Sequence, residues 1–413
     1  MTENIKLGDV ITDISAGPFG SNLKVSCFVD DGFPIVDGAN LKGYKLTDNI
    51  TKFVTEEKAR SLHRSIARRN DIVVTISGTV GQISYIPLDS KYEEYLCSQR
   101  QFRATFDTDR VYVPYLVFYF HTYEGQHKIL SFANQVGVPA LSQPLKNFRL
   151  IDIDLPDVET QKRIADIVEI ISSKIEANDA INGNLEEQAL ALFRQFFMDF
   201  APYGGVAPSG WTEVSLDDVC TRITDGSHYS PEDVPNSPYP MYSVKDMETY
   251  GFNPTSCKHI SEEDFRKMQK GDCVPLLNDI LVAKDGSYLK EIFICSEEKD
   301  EAILSSIAIF RPNTNIIIPE ILLYLFKQPS VRKDVGDNYV SGSVLPRIVL
   351  KDFKKYRFML PPMEEQLKIG SVLHAIRMQT KANIDEIQCL SSTRDVLLPK
   401  LMSGELDISN LDL

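Results

Sequence analysis

The sequence predicts an α+β protein built as a pseudo-two-fold tandem repeat. Two globular domains are each followed by a long helix, and the two helices pair as an antiparallel coiled coil. Two observations lead to this prediction. The block Leu-Pro-x-x-Glu-x-Gln occurs twice, ending at Gln161 and at Gln366, an offset of 205 residues in a chain of 413. After each block, apolar residues recur at alternating steps of four and three for about five heptads, a pattern typical of a coiled coil.

The repeat extends through the whole chain. The tetrapeptide Leu-Gly-Asp-Val at Leu7 matches Leu-Asp-Asp-Val at Leu216, and Asp-Ile-Val-Val at Asp71 matches Asp-Ile-Leu-Val at Asp279. Offsets vary by a few residues because diverged copies gain or lose residues in loops. The expected organisation is a first globular domain (1–157), a first long helix (158–202), a second globular domain (203–362) and a second long helix (363–413).

Secondary structure within the globular domains follows from short β-branched and aromatic runs between Gly, Pro, Asn and Asp clusters. These runs predict strands at residues 72–76, 83–86, 101–106, 280–283, 291–294 and 308–311. Short helices are predicted at residues 56–67, 114–122, 261–268 and 319–327. The second and fourth of these helices carry Pro in the first turn, a favoured position.

The heptad pattern places one seam of apolar residues on each long helix, and neither helix can bury its seam alone. The seam residues are Ile164, Val168, Ile171, Ile175, Asn178, Leu185 and Leu192 in the first helix, and Ile369, Leu373, Ile376, Asn383, Leu390 and Leu397 in the second. Parallel pairing would bring both domains to one end, whereas the short connection at residues 203–210 favours an antiparallel return. Asn178 and Asn383 occupy matching positions, where they either fix the register of the seam or face solvent at the helix edge.

The composition excludes several classes of protein. No apolar run reaches the roughly 18 residues that cross a bilayer, and the N-terminus lacks a signal-peptide pattern; we therefore expect a cytoplasmic protein without membrane contact. The seven cysteines contain no CxxC pair, which argues against a zinc site or a disulfide framework. The net charge of −14 predicts weak binding to phosphate by this chain alone. However, 35 of the 44 lysines and arginines fall in the two globular domains, so a local basic surface remains open.

Over its full length the chain resembles the specificity subunit of type I restriction-modification systems. The resemblance is carried by the two helix openings, the loop Gly-Pro-Phe-Gly-Ser-Asn-Leu-Lys at 17–24, Pro-Ser-Gly-Trp at 208–211, and Leu-Pro-Lys-Leu-Met-Ser-Gly-Glu-Leu at 398–406. The segments Ser-Gly-Thr-Val-Gly at 77–81 and Thr-Asp-Gly-Ser-His at 224–228 also fit. The first copy departs from the pattern, since no Pro-x-Gly-Trp segment precedes it.

This resemblance implies a non-catalytic subunit with two target-recognition domains. Each domain would read one half of a split site in double-stranded DNA, and the coiled coil would set the gap. The implied partners are two adenine methyltransferase subunits, which use S-adenosylmethionine, and two restriction/translocase subunits, which use ATP and Mg²⁺. Because each methyltransferase would grip the DNA and flip its own target base, an acidic specificity subunit remains compatible with DNA binding. This chain itself is expected to hold no cofactor.

The candidate DNA-contacting residues lie in Gly-rich or polar loops, where backbone N–H groups can approach a phosphate or a base edge closely. In the first domain they are Gly17, Gly20, Ser21, Asn22, Lys24, Ser77, Thr79, Gln135 and Ser142. In the second domain they are Asp225, Ser227, His228, Tyr229, Lys284, Ser287, Ser341, Ser343 and Arg347. The alternative for each loop is an ordinary polar turn, and Lys284 would contact either a guanine or a phosphate.

The densest basic group lies in the first domain. Arg60, Arg64 and Arg68 are four residues apart, so they would share one face of the helix predicted at 56–67. Arg266 and Lys270 occupy a similar place in the second domain. Each group is interpreted as a phosphate clamp, with a solvated helix face as the alternative.

The search for catalytic residues gives none. The chain lacks the Asn/Asp-Pro-Pro-Tyr/Phe motif that would hold an adenine amino group, and its Gly-rich turns match neither the GxxxxGK[ST] nor the GxGxxG pattern. The alternative to a DNA-specificity subunit is a coiled-coil scaffold, for instance a degenerate relative, whose repeated domains bind protein instead of DNA.

Overall fold

The computed structural model describes residues 2–134, 138–406 and 408. It divides into two compact units, one formed by Met1–Glu176 with Ile387–Leu413 and the other by Ala177–Glu386. Each unit therefore contains one globular domain and one half of each long helix. This division differs from a simple domain-plus-helix repeat, because the two helices are shared between the units.

The first unit is built on a four-stranded antiparallel sheet with the order Ile11–Ala16, Gln101–Phe106, Ile72–Thr75 and Ile83–Tyr85. The second unit has the same sheet in the same order: Cys220–Asp225, Ile307–Pro312, Ile280–Ala283 and Ile292–Ile294. We call this the main sheet of each unit. The α+β tandem repeat predicted from the sequence is confirmed by this shared topology.

Smaller strand pairs also recur in both units. The chain termini of each globular domain pair as Glu3–Lys6 with Asp152–Leu155, and as Thr212–Ser215 with Arg357–Leu360. A short hairpin pairs Ala133–Asn134 with Ala140–Leu141 in the first unit, and Val340–Ser341 with Arg347–Ile348 in the second.

A second sheet differs between the two units. In the first unit it has five strands, in the order Phe28–Val29, Phe53–Val54, Phe33–Val36, Glu94–Cys97 and Ile66–Arg68. In the second unit it has three, in the order Lys258–Ile260, Tyr239–Tyr242 and Ala302–Ile303, beside a separate pair Met247–Glu248 and Gly251–Phe252. The main sheet is thus the common frame, and the second sheet is where the copies have diverged.

Short helices complete each globular domain. Those of the first unit are Glu56–Ser61, Val113–Phe120, Tyr123–Leu130 and Pro144–Arg149. Those of the second are Leu216–Val219, Glu262–Lys270, Pro319–Phe326, Pro329–Asn338 and Leu350–Phe353. Short 3-10 turns include Leu7–Asp9, Val25–Cys27, Gly38–Asn40, His63–Ser65, Ala201–Tyr203 and Val244–Asp246. The helices Val113–Phe120 and Pro319–Phe326 are almost fully buried, since they lie between the main sheet and the long helices.

The predicted helix at 56–67 is wrong beyond Ser61. A 3-10 turn follows, and Ile66–Arg68 is a strand that pairs with Glu94–Cys97. Ile66 is buried in this sheet, so tertiary pairing overrides the local helical pattern. The other predicted strands and short helices lie within two residues of the observed bounds, whereas the long helices begin as predicted but end at Phe197 and Met402, before the expected ends at 202 and 413.

The long helices Val158–Phe197 and Met363–Met402 run antiparallel. In the second unit Asn178 donates to Glu386 (2.8 Å), and Asn383 donates to Asn182 (2.8 Å). The first helix advances from 178 to 182 while the second recedes from 386 to 383, which defines the antiparallel direction. Every predicted seam position is buried or half-buried. Asn178 and Asn383 are only 2 % and 6 % exposed, so neither faces solvent.

The glutamine of the repeated block joins each long helix to its domain. The Gln161 side chain accepts from the backbone N–H of Tyr112 (2.8 Å) and donates to the carbonyls of Arg110 (2.9 Å) and Pro156 (2.7 Å). All three contacts lie in the first unit, and Gln161 is fully buried. Its amide therefore satisfies backbone groups of the loop that leads into Val113–Phe120.

Gln366 repeats this arrangement in the second unit. It accepts from the N–H of Ile318 (3.1 Å) and donates to the carbonyls of Ile316 (2.9 Å) and Pro361 (3.0 Å). The duplicated block is thus a docking element: its Pro turns the chain into the helix, and its Gln binds the preceding loop. We call Gln161 and Gln366 the two docking glutamines.

Replacing a docking glutamine is expected to destabilise its unit. Gln366→Leu leaves one N–H and two carbonyls of the junction without their hydrogen-bond partner, which costs about 2–4 kcal/mol. Urea unfolding followed by circular dichroism measures the loss. The control is Gln195→Leu on the exposed face of the first long helix, where the expected change is within about 0.5 kcal/mol. Equal effects of the two substitutions would contradict the docking role.

Candidate nucleic-acid interface

Several loops meet at one edge of the main sheet in the first unit. Because neighbouring strands are antiparallel, the end of Ile11–Ala16, the start of Gln101–Phe106 and the turn between Ile72–Thr75 and Ile83–Tyr85 lie side by side. The hairpin Ala133–Asn134/Ala140–Leu141 joins them through a bridge between Ser77 and Ala140. We call residues 17–24, 76–81, 98–100 and 138–142 the loop edge of the first unit.

The second unit has an equivalent loop edge, formed by residues 226–230, 284–290, 304–306 and 340–347. The equivalence is given by backbone hydrogen bonds that recur in both units. These are Gly17 N–H to Gln101 O and Gly226 N–H to Ile307 O, Ile76 N–H to Arg100 O and Lys284 N–H to Ser306 O, and Gly78 N–H to Pro139 O and Gly286 N–H to Pro346 O. The backbone of the two edges is therefore held in the same way, and the side chains can be compared position by position.

Glycine is required where each first loop leaves the sheet. A Cβ atom on Gly17 would overlap the carbonyl oxygen of Ser98, and one on Gly226 would overlap that of Ile303. The first loop of each edge is thus packed directly on the turn that precedes the central strand. This close approach holds the loop in place, and Phe19–Asn22 in the first unit and His228–Ser230 in the second are exposed beyond it.

The predicted residues of the first loop edge differ in exposure. Ser21, Asn22, Lys24 and Thr79 are exposed and available to a ligand. Gly17, Ser77 and Ser142 are half-buried; the Ser142 N–H donates to Phe132 O, and its carbonyl accepts from Asn147. Gly20 is exposed beside Gln99. Gln135 lies outside the described residues.

The expected basic helix face of the first unit is not formed. Arg60 lies in the helix, Arg64 in the 3-10 turn and Arg68 in a strand. Glu94 binds both Arg60 (Nη1 to Oε2, 2.6 Å) and Arg68 (Nε to Oε1, 3.0 Å), and Arg60 also pairs with Glu56. Glu94 is brought there by the strand pairing that ended the predicted helix, so two of the three proposed clamp residues are already neutralised.

Three other cations at this edge have no acidic partner. No carboxylate of a described residue lies within 4 Å of the charged nitrogens of Lys24, Arg64 or Arg100. Arg64 lines a cleft of 620 Å³ together with Phe19 and Gln99. Arg100 lines a neighbouring cleft of 550 Å³ that also contains Gln99.

The second of these clefts contains an ionised carboxylate. Burial acts to raise the pKa of Asp37, but hydrogen bonds from the Lys52 ammonium (2.6 Å) and the Ala39 N–H (2.9 Å) outweigh it and leave the pKa lowered. Asp37 and Lys52 therefore neutralise one another at the cleft wall, and the remaining positive charge there comes from Arg100.

Two exposed residues of the first loop edge were missed by the sequence reasoning. Phe19 is 84 % exposed at the tip of the first loop, and Arg100 is exposed in the turn before the central strand. Phe19 stands within the predicted loop, so its apolar ring among polar neighbours was the available signal. Arg100 could have been found by extending the match of Asp71 with Asp279 to the next strand, which pairs Arg100 with Ser306.

The second loop edge carries different side chains on the same frame. His228, Tyr229, Ser287, Ser341, Ser343 and Arg347 are exposed, and Ser227 is half-buried. On the helix Glu262–Lys270, Arg266 binds Glu262 (3.4 Å), whereas Lys270 has no carboxylate of a described residue within 4 Å. Lys270 and Arg347 are therefore the predicted cations of this unit that remain available.

Lys284 is not an exposed contact residue. It is 7 % exposed, and its ammonium lies 2.6 Å from Asp225 Oδ2 and 3.8 Å from Asp285 Oδ1. Asp225 also lies 3.4 Å from His228. This burial and pairing do not favour the predicted guanine or phosphate contact by Lys284, because its ammonium joins the first loop to the adjoining turn.

Breaking this ion pair is expected to loosen the second loop edge. Asp225→Ala removes the closest partner of a buried ammonium and lowers the free energy of unfolding by about 2 kcal/mol. Lys284→Met in the same background should recover part of the loss, since it removes the unpaired charge. Thermal unfolding of both variants measures this, and a double variant as unstable as the single one would contradict the structural role of the pair.

Among the described residues no helix combines the length and apolar character that a membrane span needs, and no cluster of three or more His, Cys, Asp or Glu side chains is arranged to hold a metal ion.

Comparison with known proteins identifies the family. A model described as the type I restriction modification DNA specificity domain matches residues 3–187 and, a second time, residues 208–388. The type I restriction enzyme MjaIX specificity subunit of Methanocaldococcus jannaschii is 23% identical over 373 residues, 87% of this chain and 82% of that protein. The HindI specificity subunit of Haemophilus influenzae is 24% identical over 324 residues, 62% of this chain and 69% of that protein.

A solved structure shows the same fold. The type I restriction-modification S subunit from M. genitalium superposes with a TM-score of 0.60 at 13% sequence identity, covering 97% of this chain and 96% of that one. The double match of the family model coincides with the two domains that carry the equivalent loop edges. The chain belongs to the family of type I restriction-modification DNA specificity proteins.

Proposed function

We propose that this chain is the DNA-specificity subunit of a type I restriction-modification complex, and that each unit reads one half of a split DNA site. The observation that carries the proposal is the pair of loop edges: their backbones are held by the same hydrogen bonds, yet their side chains differ. Two readers of different half-sites need a common frame and different base-contacting groups. A scaffold that binds one protein twice would favour the same side chains in both copies.

Contacts to the DNA backbone would come from the unpaired cations. Lys24 and Arg64 in the first unit, and Lys270 and Arg347 in the second, are exposed and can neutralise phosphates. Two such contacts per unit give only weak binding for a chain with a net charge of −14. We therefore propose that methyltransferase partners supply most of the contacts to the DNA phosphates.

The long helices provide a surface on which such partners could dock. Ile170, Ile181, Leu367, Val372 and Val396 are apolar helix residues that remain exposed. Covering these side chains with a partner would remove apolar surface from water, which favours association. We infer that two adenine methyltransferase subunits, which use S-adenosylmethionine, bind there. Two restriction/translocase subunits, using ATP and Mg²⁺, would complete the assembly, and this chain would supply recognition without catalysis.

Co-expression with an adenine methyltransferase subunit of the type I class tests this function. Sequencing of methylated adenines in the host DNA is expected to show one split motif with a gap of constant length. The control is the methyltransferase expressed alone, which should leave the motif unmethylated. Methylation without this chain, or methylation without a defined motif, would refute the proposal.

The length of the helix pair is expected to set the gap. One heptad is added to each helix, after Glu176 and after Glu386, where the two units divide. Seven helical residues add about 10 Å, which corresponds to about three base pairs of DNA at 3.4 Å each. The methylated motif should keep both half-sites and lengthen its gap accordingly. Changed half-sites with an unchanged gap would show that the helices are not the spacer.

A further inference from the structure

We infer that Arg100 is a base-reading residue of the first unit and that it binds a guanine in the major groove. The inference rests on the proposed function and deepens it. It concerns a position that the sequence motifs did not mark, and it predicts one base of the half-site that the first unit reads.

The charge of Arg100 is not paired with a carboxylate of any described residue. Arg60, Arg68 and Arg103 of the same domain each bind a carboxylate, whereas Arg100, like Arg64, has none among the described residues. The guanidinium of Arg100 is exposed, and no described residue accepts a hydrogen bond from it. A guanidinium carries five N–H donors in a planar fork, so this group is free to bind a ligand.

The backbone of Arg100 is held by hydrogen bonds at both its carbonyl and its N–H. Its carbonyl accepts from the N–H of Ile76 (2.7 Å), and its own N–H donates to the Ser98 hydroxyl (3.4 Å). The turn is closed by Gln101 N–H to Ser98 O (3.2 Å). A side chain on such a turn starts from a defined position, which base recognition requires and a diffuse charge does not.

The guanidinium of Arg100 lies among the polar groups of the loop edge. A Cβ atom placed on Gly78 would lie 3.8 Å from Arg100 Nη1, so the guanidinium lies over the turn that contains Thr79. It also borders the 550 Å³ cleft, together with Ser77 and Gln99. Arg100 thus stands at the centre of the loop edge, among the polar groups proposed to contact bases.

The difference between the two units favours a base over a phosphate as the ligand of Arg100. The hydrogen bonds that align the two loop edges place Ser306 at the position of Arg100. Phosphates are the same in every half-site, so a phosphate contact can be kept in both copies, whereas a base contact must change when the half-sites differ. The Arg100 position is not kept.

The chemistry then selects the base. Arg most often reads guanine, donating two parallel hydrogen bonds to O6 and N7 in the major groove. The half-site read by the first unit should therefore contain a guanine whose recognition depends on Arg100. Ser306, with a hydroxyl that already accepts from the Val244 N–H (3.0 Å), makes no such contact in the second unit.

The test uses the full chain assembled with its methyltransferase partner and a library of random duplexes. The wild-type complex should enrich a split motif with guanine at one position in the half-site of the first unit. Arg100→Ala should make that position degenerate, leave the other positions unchanged, and weaken binding to the wild-type motif about 5- to 150-fold. Replacing the guanine by 7-deazaguanine, which lacks N7, should weaken the wild-type complex and leave the Arg100→Ala complex unaffected.

Arg64→Ala is the matched control, since Arg64 is also exposed and unpaired. It should weaken binding to all duplexes alike and lower the salt dependence by about one phosphate contact. The inference is overturned if Arg100→Ala behaves in that way too, or if the wild-type motif has no guanine in the half-site of the first unit. A wild-type complex that enriches no motif at all contradicts the proposed function itself, and the inference falls with it.

Discussion

Each globular domain is attached to its long helix through one buried amide. Gln161 and Gln366 each bind three backbone groups to which no other side chain of the described residues is hydrogen-bonded. Leaving such groups unpaired in the interior costs more than a typical hydrogen bond contributes. The residue cannot vary without loss of the domain–helix junction, which explains why this block is the clearest trace of the repeat in the sequence.

The loop edge of each unit lies at the other end of the main-sheet strands, and its side chains take no part in this junction. There, the loops are positioned by backbone hydrogen bonds and by Gly17 and Gly226, where no side chain fits. Side chains beyond those points can change without disturbing the frame. Arg100 and Ser306 occupy equivalent positions on this frame and differ in charge, length and donors. The docking glutamine is therefore the same in both units, whereas the side chains of the loop edges differ.

Features that depend on local pattern were accessible from the sequence. The seam, six of the eight main-sheet strands and the buried helices follow from periodicity, and the two copies supported one another; the edge strands Ile11–Ala16 and Cys220–Asp225 were not predicted. Features that depend on residues far apart in the sequence could not be predicted from it. Glu94 neutralises Arg60 and Arg68 from a strand that pairs with Ile66–Arg68, and Asp225 buries the charge of Lys284 from another segment. A count of basic residues cannot separate paired from free cations, so the predicted clamp included Arg60 and Arg68, which Glu94 binds, together with Arg64, which remains unpaired among the described residues.

The pairing of cations also determines what kind of DNA binding this chain can support. Most of the arginines beside the first loop edge are matched by carboxylates, and few positive charges remain for phosphates. Non-specific affinity rises with the number of phosphates neutralised, so a unit with two or three free cations holds random DNA weakly. Base contacts contribute the same free energy whether the non-specific grip is strong or weak. A subunit with few free cations therefore discriminates between sites as well as a strongly basic one, provided that its partners supply the contacts to the DNA backbone.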